Sequence, residues 1–222
     1  MLRYVLLLTV ANIPALCTTM GVTNVMIFYE TLCPASFRQL SHVRETMTKF
    51  GDSIFISLVP FGHAQIAIAL NGSLYAHCQH GPDECTGNAW HACSHFYMEP
   101  KEQLEYAICT MHNDRELTKN LKKCTTPDIV AQLEMCASGS QGSAAVRLMG
   151  DLTVLAGAAV DPQGTRCLTG VPSLFVDGHY LSRSDRMRYS LSELICLKAS
   201  RKPSQCATQS QPQPRYRNNL EI

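Results

Sequence analysis

The sequence predicts an α/β fold that carries a helical, cysteine-rich insertion. Three patterns support this prediction: a strand–helix–strand unit within residues 20–62, a run of cysteines and short helices across residues 63–139, and a helix followed by a hairpin across residues 140–206. The 222 residues suit one domain with an insertion, at roughly 100–200 residues per domain. Hydrophobic residues make up 45% of the chain and charged residues 17%, as in a globular protein.

The charge balance and the cysteine content limit the possible functions. Lys and Arg number 19 and Asp and Glu number 18, which gives a formal net charge of +1 and no basic excess to attract a polyanion. We therefore expect no nucleic-acid partner. The 11 cysteines are typical of oxidised proteins of the secretory pathway, and are rare in cytosolic proteins without a metal or redox role.

The strand–helix–strand unit begins with Val25–Tyr29, an apolar run that favours a buried strand. An apolar stripe at three- and four-residue spacing predicts the following helix, which ends at Gly51. Ser53–Phe61 favours a second strand. Because a helix joins them, we expect the two strands to be parallel with a right-handed crossover. The helical stripe consists of Phe37, Leu40, Val43, Met47 and Phe50.

The insertion, residues 63–139, contains more than half of the cysteines. Helices are expected at Asn88–Phe96, Pro100–His112 and Pro127–Cys136, the last two with proline at the first helical position. Helices of this length are marginal alone, so we expect disulfides to hold the insertion together. Its cysteines are Cys78, Cys85, Cys93, Cys109, Cys124 and Cys136.

Residues 140–206 return to longer elements. From Ser143 onward, an apolar stripe at helical spacing predicts an amphipathic helix. An Asp-Gly pair between apolar residues predicts a β-hairpin within Val171–Tyr180. Ser190–Lys198 is expected to form a closing helix. Residues 207–222 are rich in Gln, Pro and Asn, which predicts a disordered tail.

The amino terminus has the pattern of a cleaved signal peptide, which we place at residues 1–19. Arg3 precedes the apolar run Tyr4–Leu16, which ends in small residues. This run is shorter than the about 18–20 apolar residues of a membrane anchor, and we expect no later segment of that length and no membrane partner. A buried segment at the start of a cytosolic fold is the alternative. Asn71 opens an acceptor triplet for N-glycosylation, which also suits the secretory pathway.

Cys33 stands where the first strand gives way to a helix, and Pro34 follows it. The unpaired N–H groups and the dipole at the start of a helix stabilise a thiolate, so this cysteine has a physical reason to be reactive. A buried or structural cysteine is the alternative at this position.

The segment from Cys78 to Cys93 reads CQHGPDECTGNAWHAC. It meets every fixed position of the pattern C-Q-H-G-x-x-E-C-x-x-N-x-x-x-x-C, and through it the chain resembles the gamma-interferon-inducible lysosomal thiol reductases. The resemblance extends over most of the mature chain and includes the strand before Cys33 and the pair Val171-Pro172.

This resemblance implies a thioredoxin-like fold with a disulfide-bonded helical insertion. It also implies reduction of protein disulfides at acidic pH, in lysosomes or outside the cell, with no metal and no organic cofactor. In thioredoxin-like folds a proline, usually cis, lies beside the active cysteine at the start of a hairpin, and Pro172 fits that place. Pro34, Val171 and Pro172 are therefore expected to shape a substrate groove around Cys33.

Zinc binding is an alternative interpretation of the signature. Structural zinc sites usually place two ligands two to four residues apart within each pair, and Cys-x6-Cys-x7-Cys lacks such pairs. We therefore expect disulfides and no metal, with Gln79, His80 and Asn88 hydrogen-bonded to loop backbone. The ligand set considered is Cys78, His80, Cys85, His91, Cys93 and His95.

Ser36 is the departure from the family's Cys-x-x-Cys active site. The first thiolate of a dithiol reductase attacks the substrate disulfide, and the second thiol resolves the mixed disulfide, a step that serine cannot perform. We expect Cys33 to act as a single nucleophile whose thiolate is supported by the Ser36 hydroxyl. An external small thiol, such as cysteine or glutathione, would then complete turnover.

Cys167 is left over when the remaining cysteines are paired. Eight cysteines at family-like positions suit four disulfides, whose pairing the sequence does not decide. Cys167 lies shortly before Pro172 and could serve as an alternative resolving thiol; a free loop cysteine or a bridge between chains is the other interpretation. The eight are Cys78, Cys85, Cys93, Cys109, Cys124, Cys136, Cys196 and Cys206.

Two functions remain open from the sequence. The first is a secreted or lysosomal thiol–disulfide oxidoreductase that reduces disulfide-containing proteins through Cys33. The second is a secreted, catalytically weak or inactive relative that acts by binding other proteins, an alternative that Ser36 supports. The sequence favours no particular oligomeric state.

Overall fold

The computed structural model describes residues 21–68, 74–112, 116–161, 168 and 170–208. The predicted signal peptide, Asn71, Cys167 and residues 209–222 lie outside the described residues. Ala207 and Thr208, the first residues of the predicted tail, belong to a 3-10 turn at Ser204–Thr208.

The described residues form six strands and eight helices, with five of the helices in succession between β4 and β5. The strands are β1 Thr23–Tyr29, β2 Ile54–Pro60, β3 Gln65–Ile68, β4 Leu74–His77, β5 Ser173–Val176 and β6 His179–Tyr180. The helices are α1 Pro34–Phe50, α2 Pro82–Ser94, α3 Pro100–Met111, α4 Leu117–Lys123, α5 Pro127–Ser138, α6 Ser140–Val160, α7 Arg183–Arg188 and α8 Leu191–Lys198.

A four-stranded sheet in the order β2-β1-β5-β6 forms the centre of the molecule. β1 is parallel to β2, with Thr23 opposite Ile54, which is the arrangement expected of two strands joined by a helix. β5 is antiparallel to β1, with Ser173 opposite Phe28. The predicted α/β class is confirmed, with one parallel pair extended by an antiparallel hairpin.

The hairpin between β5 and β6 turns at Asp177 and Gly178, as the Asp-Gly pair predicts. Both residues have positive φ angles, 47° and 80°, which suit a two-residue hairpin loop. The Asp177 carboxylate accepts the N–H groups of Asn24 and Ser200, each at 2.8 Å. The turn therefore also joins the hairpin to β1 and to the chain after α8.

Alternate side chains of β1 enter two different cores, because side chains alternate along a strand. Val25, Ile27 and Tyr29 are buried with residues of α1, α3 and α8. Phe28 points to the opposite face, where its ring lies 5.5 Å from that of Phe175 and packs with residues of α6. Burial on both faces fixes the central strand, and with it the point at which the chain leaves the sheet toward Cys33.

The insertion contains more than the predicted helices. It opens with an antiparallel hairpin, β3–β4, whose four-residue strands are too short for a clear alternation signal. α2 begins at Pro82, earlier than the predicted Asn88, and the short α4 was not foreseen. A separate buried cluster fills the helical part: Trp90, Cys93, Tyr106, Leu117, Leu121, Leu133 and Cys136.

Four disulfides join the eight family-like cysteines. Within the insertion, one bond joins the segment before α2 to the start of α2, one joins α2 to α5, and one joins α3 to the end of α4. The fourth joins α8 to the turn at Ser204–Thr208. The pairs are Cys78–Cys85, Cys93–Cys136, Cys109–Cys124 and Cys196–Cys206.

α6 is long enough and apolar enough to cross a membrane, judged by length and composition, with a mean hydropathy of 1.4 in its most apolar window. The expectation that no segment after the leader has this length is therefore wrong. The helix packs on α2, α5, β2 and β3, and its Ala145 and Met149 are buried with Phe61. Core packing accounts for only part of its apolar character, because 28% of that window is buried and Leu148, Val154 and Leu155 are exposed.

Candidate active site

Cys33 is the residue that immediately precedes α1. Its backbone is extended, with φ −80° and ψ 116°, and Pro34 occupies the first helical position, where its fixed φ fits and its missing N–H is no loss. The Cys33 N–H donates to the Glu30 carbonyl at 3.3 Å, and the Cys33 carbonyl accepts the Phe37 N–H at 3.1 Å. A tight turn therefore carries the chain from β1 into α1 and fixes the backbone of this cysteine.

The Cys33 thiol is partly exposed and is the free thiol among the described cysteines. It opens into a shallow depression of about 210 Å³. On its far side the Phe37 and His112 rings meet edge to face, with centroids 5.9 Å apart. The depression is lined by Thr31, Leu32, Cys33, Pro34, Phe37, Met111 and His112. A sulfur atom of another molecule can therefore approach Cys33 from solvent.

Ser36 is completely buried below the first turn of α1. Its hydroxyl oxygen accepts the Glu30 N–H at 3.4 Å. Between these described residues there is no hydrogen bond from Ser36 to the Cys33 sulfur. The hydroxyl thus contacts the turn at Glu30, whereas the sequence-based expectation directs it to the thiolate.

Pro172 lies beside the start of α1, and the Val171–Pro172 peptide bond is cis. Ala35 and Pro172 line the same cavity, and β5 begins directly after Pro172, opposite the end of β1. The Pro172 carbonyl accepts a hydrogen bond from Arg186 Nη1 at 2.9 Å, which ties the loop to α7. Cys33 and Pro34 follow the end of β1, and Val171 and Pro172 precede the start of β5, so the structure places all four at the same end of the sheet.

A buried carboxyl group, to which no sequence motif points, lies under the Cys33 turn. Glu30 is fully buried, and its Oε1 accepts the His63 N–H at 2.6 Å. Its Oε2 lies 3.5 Å from His80 Nδ1 and has no hydrogen-bond partner in the described part of the chain. Burial raises the pKa of Glu30, and the nearby Glu84 charge raises it further, against the lowering effect of the His63 N–H.

His80 and Glu84 of the signature complete this cluster. His80 Nδ1 hydrogen-bonds to Glu84 Oε2 at 2.5 Å, and Glu84 Oε1 accepts the His80 N–H at 3.1 Å. Within the described ranges, Glu30, His80 and Glu84 form the one group whose atoms are close enough to hold a metal ion, all within 4.8 Å. The cysteines of the zinc alternative, in contrast, are in disulfides and offer no thiolate.

Two further polar residues of α2 contact the end of β1 and the turn that follows it. Asn88 Oδ1 accepts the Thr31 N–H at 3.1 Å, so this side chain holds loop backbone, as the sequence predicts. His91 is buried between the Tyr29 hydroxyl, at 2.9 Å, and the Thr110 hydroxyl, at 2.8 Å. Burial lowers the pKa of His91 to about 3, with a smaller contribution from His95, so its imidazole is neutral.

This fold is of the thioredoxin-like class, as the resemblance implies. MdbA, a thiol-disulfide oxidoreductase from Corynebacterium diphtheriae, superimposes with a TM-score of 0.51 at 10% sequence identity, covering 78% of this chain and 84% of that protein. In this chain, a cysteine before α1 and a cis-proline before β5 lie at the same end of the sheet.

The sequence relatives identify the family. The family model described as gamma interferon inducible lysosomal thiol reductase (GILT) matches residues 24–127. The gamma-interferon-inducible lysosomal thiol reductase of Carassius auratus is 30% identical over 193 residues, covering 82% of this chain and 71% of the relative. GILT-like protein 1 of Drosophila melanogaster is 26% identical over 191 residues, covering 78% and 73%. The chain belongs to the GILT family, a family of thiol–disulfide oxidoreductases.

Proposed function

We propose that this protein reduces disulfides in other proteins through the single nucleophile Cys33, with an external small thiol completing turnover. The observation that carries the proposal is a free, partly exposed cysteine at the start of α1, beside a cis-proline and above a buried serine. No resident metal or organic cofactor takes part in this chemistry.

Cys33 stands at the N-cap position of α1, directly before the first turn of the helix. The first N–H groups of a helix have no intrahelical partner, and the positive end of the helix dipole stabilises an anion. The first turn of α1 contains no acidic residue that would oppose the thiolate. Pro34 supports the same geometry, because it starts the helix immediately after the sulfur-bearing residue.

The reaction proceeds by thiol–disulfide exchange. The Cys33 thiolate attacks one sulfur of the substrate disulfide; a bond forms between the two sulfurs, and the other substrate sulfur leaves as a thiolate. One external thiol then attacks the mixed disulfide and becomes disulfide-bonded itself. A second external thiol attacks that new disulfide, and the two external thiols leave joined to each other. Two external thiols are thereby oxidised to one disulfide, and one substrate disulfide is reduced to two thiols.

Ser36 accounts for the need for an external thiol. Its hydroxyl occupies the buried position below the first turn and cannot form a disulfide with Cys33. We assign Ser36 a positioning role: its hydroxyl accepts the Glu30 N–H and so holds the turn from Glu30 to Cys33. Cys167 remains an alternative resolving thiol, and peptide mapping of non-reduced protein tests it: a Cys33–Cys167 bond during turnover supports the relay, and alkylation of both throughout excludes it.

Val171 and Pro172 supply the second wall of the proposed substrate groove. Pro172 has no N–H, and the ladder with β1 begins only at Ser173. The Val171 backbone makes no hydrogen bond with another described residue, so it can pair with an extended substrate segment.

A secretory location suits the covalent structure. Four disulfides form and persist in an oxidising compartment, and the predicted leader and the Asn71 acceptor point the same way. We place the protein in the lysosome or outside the cell, with disulfide-containing proteins as substrates and neither nucleic acid nor membrane as a partner.

A second function, binding without turnover, is favoured by Ser36. A protein that attacks a disulfide but cannot resolve the product retains its partner as a mixed disulfide. In this case the chain would act as a capture protein of the secretory pathway, and added thiol would release the partner without many cycles of reduction.

A reductase assay separates these functions. Wild type, Cys33→Ser and Ser36→Cys are compared on a disulfide-bonded protein at about pH 5, with and without added cysteine. The proposal predicts thiol-dependent turnover by wild type, none by Cys33→Ser, and a large gain in Ser36→Cys. Equal rates for wild type and Cys33→Ser would remove the enzymatic function, and a single stoichiometric capture by wild type would favour the binding function.

A further inference from the structure

A groove of about 570 Å³ runs along α1 from the candidate active site. Its near end is formed by Ala35 and Pro172, and one wall continues along α1 to Lys49. The opposite wall comes from α7, α8 and the residues between them, including Arg186. We call this cavity the α1 groove.

The α1 groove has the dimensions of a peptide site. From Ala35 to Lys49 the helix rises about 21 Å, at roughly 1.5 Å per residue. An extended peptide advances roughly 3.3 Å per residue, so about six residues can lie along this wall. Because the groove starts at Ala35, which follows Cys33 in the first turn of α1, it can hold the chain segment that continues from a substrate cysteine.

Basic side chains dominate the α1 wall of the groove. Arg38, His42 and Lys49 are exposed on it, and the acidic residue among them, Glu45, lies 3.5 Å from His42. Neither Arg38 nor Lys49 forms an ion pair with any residue that the structure describes. The whole chain has a formal charge of only +1, so this excess is local.

Arg186 adds a cation on the opposite wall. It is half-buried, and Nη1 is occupied by the Pro172 carbonyl. Its buried Nε has no hydrogen-bond partner in the described segments. Burial lowers the pKa of this guanidinium, which means that the charge is poorly solvated and would be stabilised by an anionic ligand.

We propose that the α1 groove binds the substrate segment on one side of the reacting cysteine and selects segments rich in Glu and Asp. This inference rests on the proposed function, because it needs Cys33 to be the attacking thiol. It names the substrate class as disulfides flanked by acidic sequence. Complementary charge raises the association rate and excludes basic segments, and salt weakens both effects.

Two matched peptides test the preference. Each contains one cysteine in a disulfide with a small chromogenic thiol, flanked by glutamates in one peptide and by lysines in the other. Attack by Cys33 forms the protein–peptide disulfide and releases the chromogenic thiolate, which is measured. We expect the glutamate peptide to react about tenfold faster at low ionic strength, with the ratio falling as salt is added.

Charge reversal on α1 gives the decisive comparison. Arg38→Glu should lower the ratio of the two rates to about one or invert it. Arg44→Glu makes the same change of charge on a different face of α1, where Arg44 lies 3.5 Å from Glu105, and should leave the ratio close to that of wild type. Equal rates for the two peptides on wild type, or equal effects of the two variants, would overturn the inference.

A binding measurement separates this inference from the proposed function. Fluorescent versions of both peptides, with serine in place of cysteine, are titrated into the Cys33→Ser variant and followed by anisotropy. If the glutamate peptide binds more tightly but wild type shows no Cys33-dependent thiol release, the acidic preference of the α1 groove is supported and the reductase function is contradicted. If Cys33 releases thiol but neither assay shows a charge preference, the reductase function is supported and the acidic preference of the groove is contradicted.

Discussion

Asn88 and Thr31 join the signature helix to the turn that presents Cys33. The side-chain oxygen of Asn88 accepts the backbone N–H of Thr31 at 3.1 Å, and both residues are buried. The Thr31 hydroxyl in turn donates to the Glu84 carbonyl at 3.1 Å. The signature is therefore in direct contact with the reactive turn, although none of its residues bonds to the sulfur.

Asn88→Ala should loosen that turn. The variant leaves the buried Thr31 N–H without a partner, which costs about 1–3 kcal/mol. We expect a lower midpoint in urea unfolding and faster alkylation of Cys33 by iodoacetamide. Asn24→Ala is the control, since Asn24 accepts an exposed hydroxyl from Ser57. A similar loss in both variants would contradict a special role of Asn88.

Gly62→Ala should destabilise the protein through Glu30. Gly62 has φ +59°, and a methyl group there would overlap the Glu30 carboxyl group, with Cδ at 2.6 Å. Gly178→Ala is a matched control, because its φ is +80° and no described atom lies within 4 Å of the added carbon. Both variants place a side chain at a positive φ angle, which costs about 1–2 kcal/mol. Gly62→Ala should lose a further about 1–3 kcal/mol in chemical unfolding, and equal losses would show that the carboxyl group moves aside freely.

Glu30 should make the folded state more stable in acid. Its pKa is raised in the folded protein, so the stability it contributes is fully present below its unfolded pKa and is lost as the pH rises through the folded value. Glu30→Gln removes this titration while keeping an acceptor for the His63 N–H. As the pH rises from about 4 toward 7, we expect the unfolding free energy of the variant to increase relative to that of wild type. Parallel pH curves for the two proteins would rule out this effect.

His91 should have the opposite effect to Glu30 and make the folded state less stable in acid. Its pKa is lowered to about 3 in the folded state, so its contribution is present above the unfolded value and is lost as the pH falls toward the folded one. His91→Gln should therefore show a weaker loss of stability in acid than wild type. Exposed His42→Gln serves as the control. If thermal unfolding of wild type and His91→Gln responded equally to acid, burial of a neutral imidazole would not be the cause.

The longest disulfide loop should contribute most to stability. Cys93–Cys136 spans 43 residues and Cys196–Cys206 spans 10, and both are removed as pairs by alanine. Loop entropy makes the first removal more costly by about 1 kcal/mol. Loss of packing at the fully buried Cys93 acts in the same direction. Equal midpoints for the two double variants in guanidinium would show that unfolded-state entropy does not determine the order.

The elements around Cys33 were predictable because their signals are local. The apolar run of β1, the stripe of α1 and the Asp-Gly turn each specify their structure within a few residues. The β3–β4 hairpin and α7 were missed since their four- to six-residue lengths carry little periodicity. The Glu30 cluster and the contact of Arg186 with Pro172 depend on residues far apart in sequence, which no single segment reveals.

The disulfide between Cys196 and Cys206 has a practical consequence. It holds the last described turn beside the end of α1, where the Gln205 side-chain amide donates to the Phe50 carbonyl at 3.1 Å. Cys33 lies at the other end of the same helix, about 25 Å away at roughly 1.5 Å per residue. An affinity handle or a surface-immobilisation linker attached after this turn would therefore leave the reactive sulfur facing free solution.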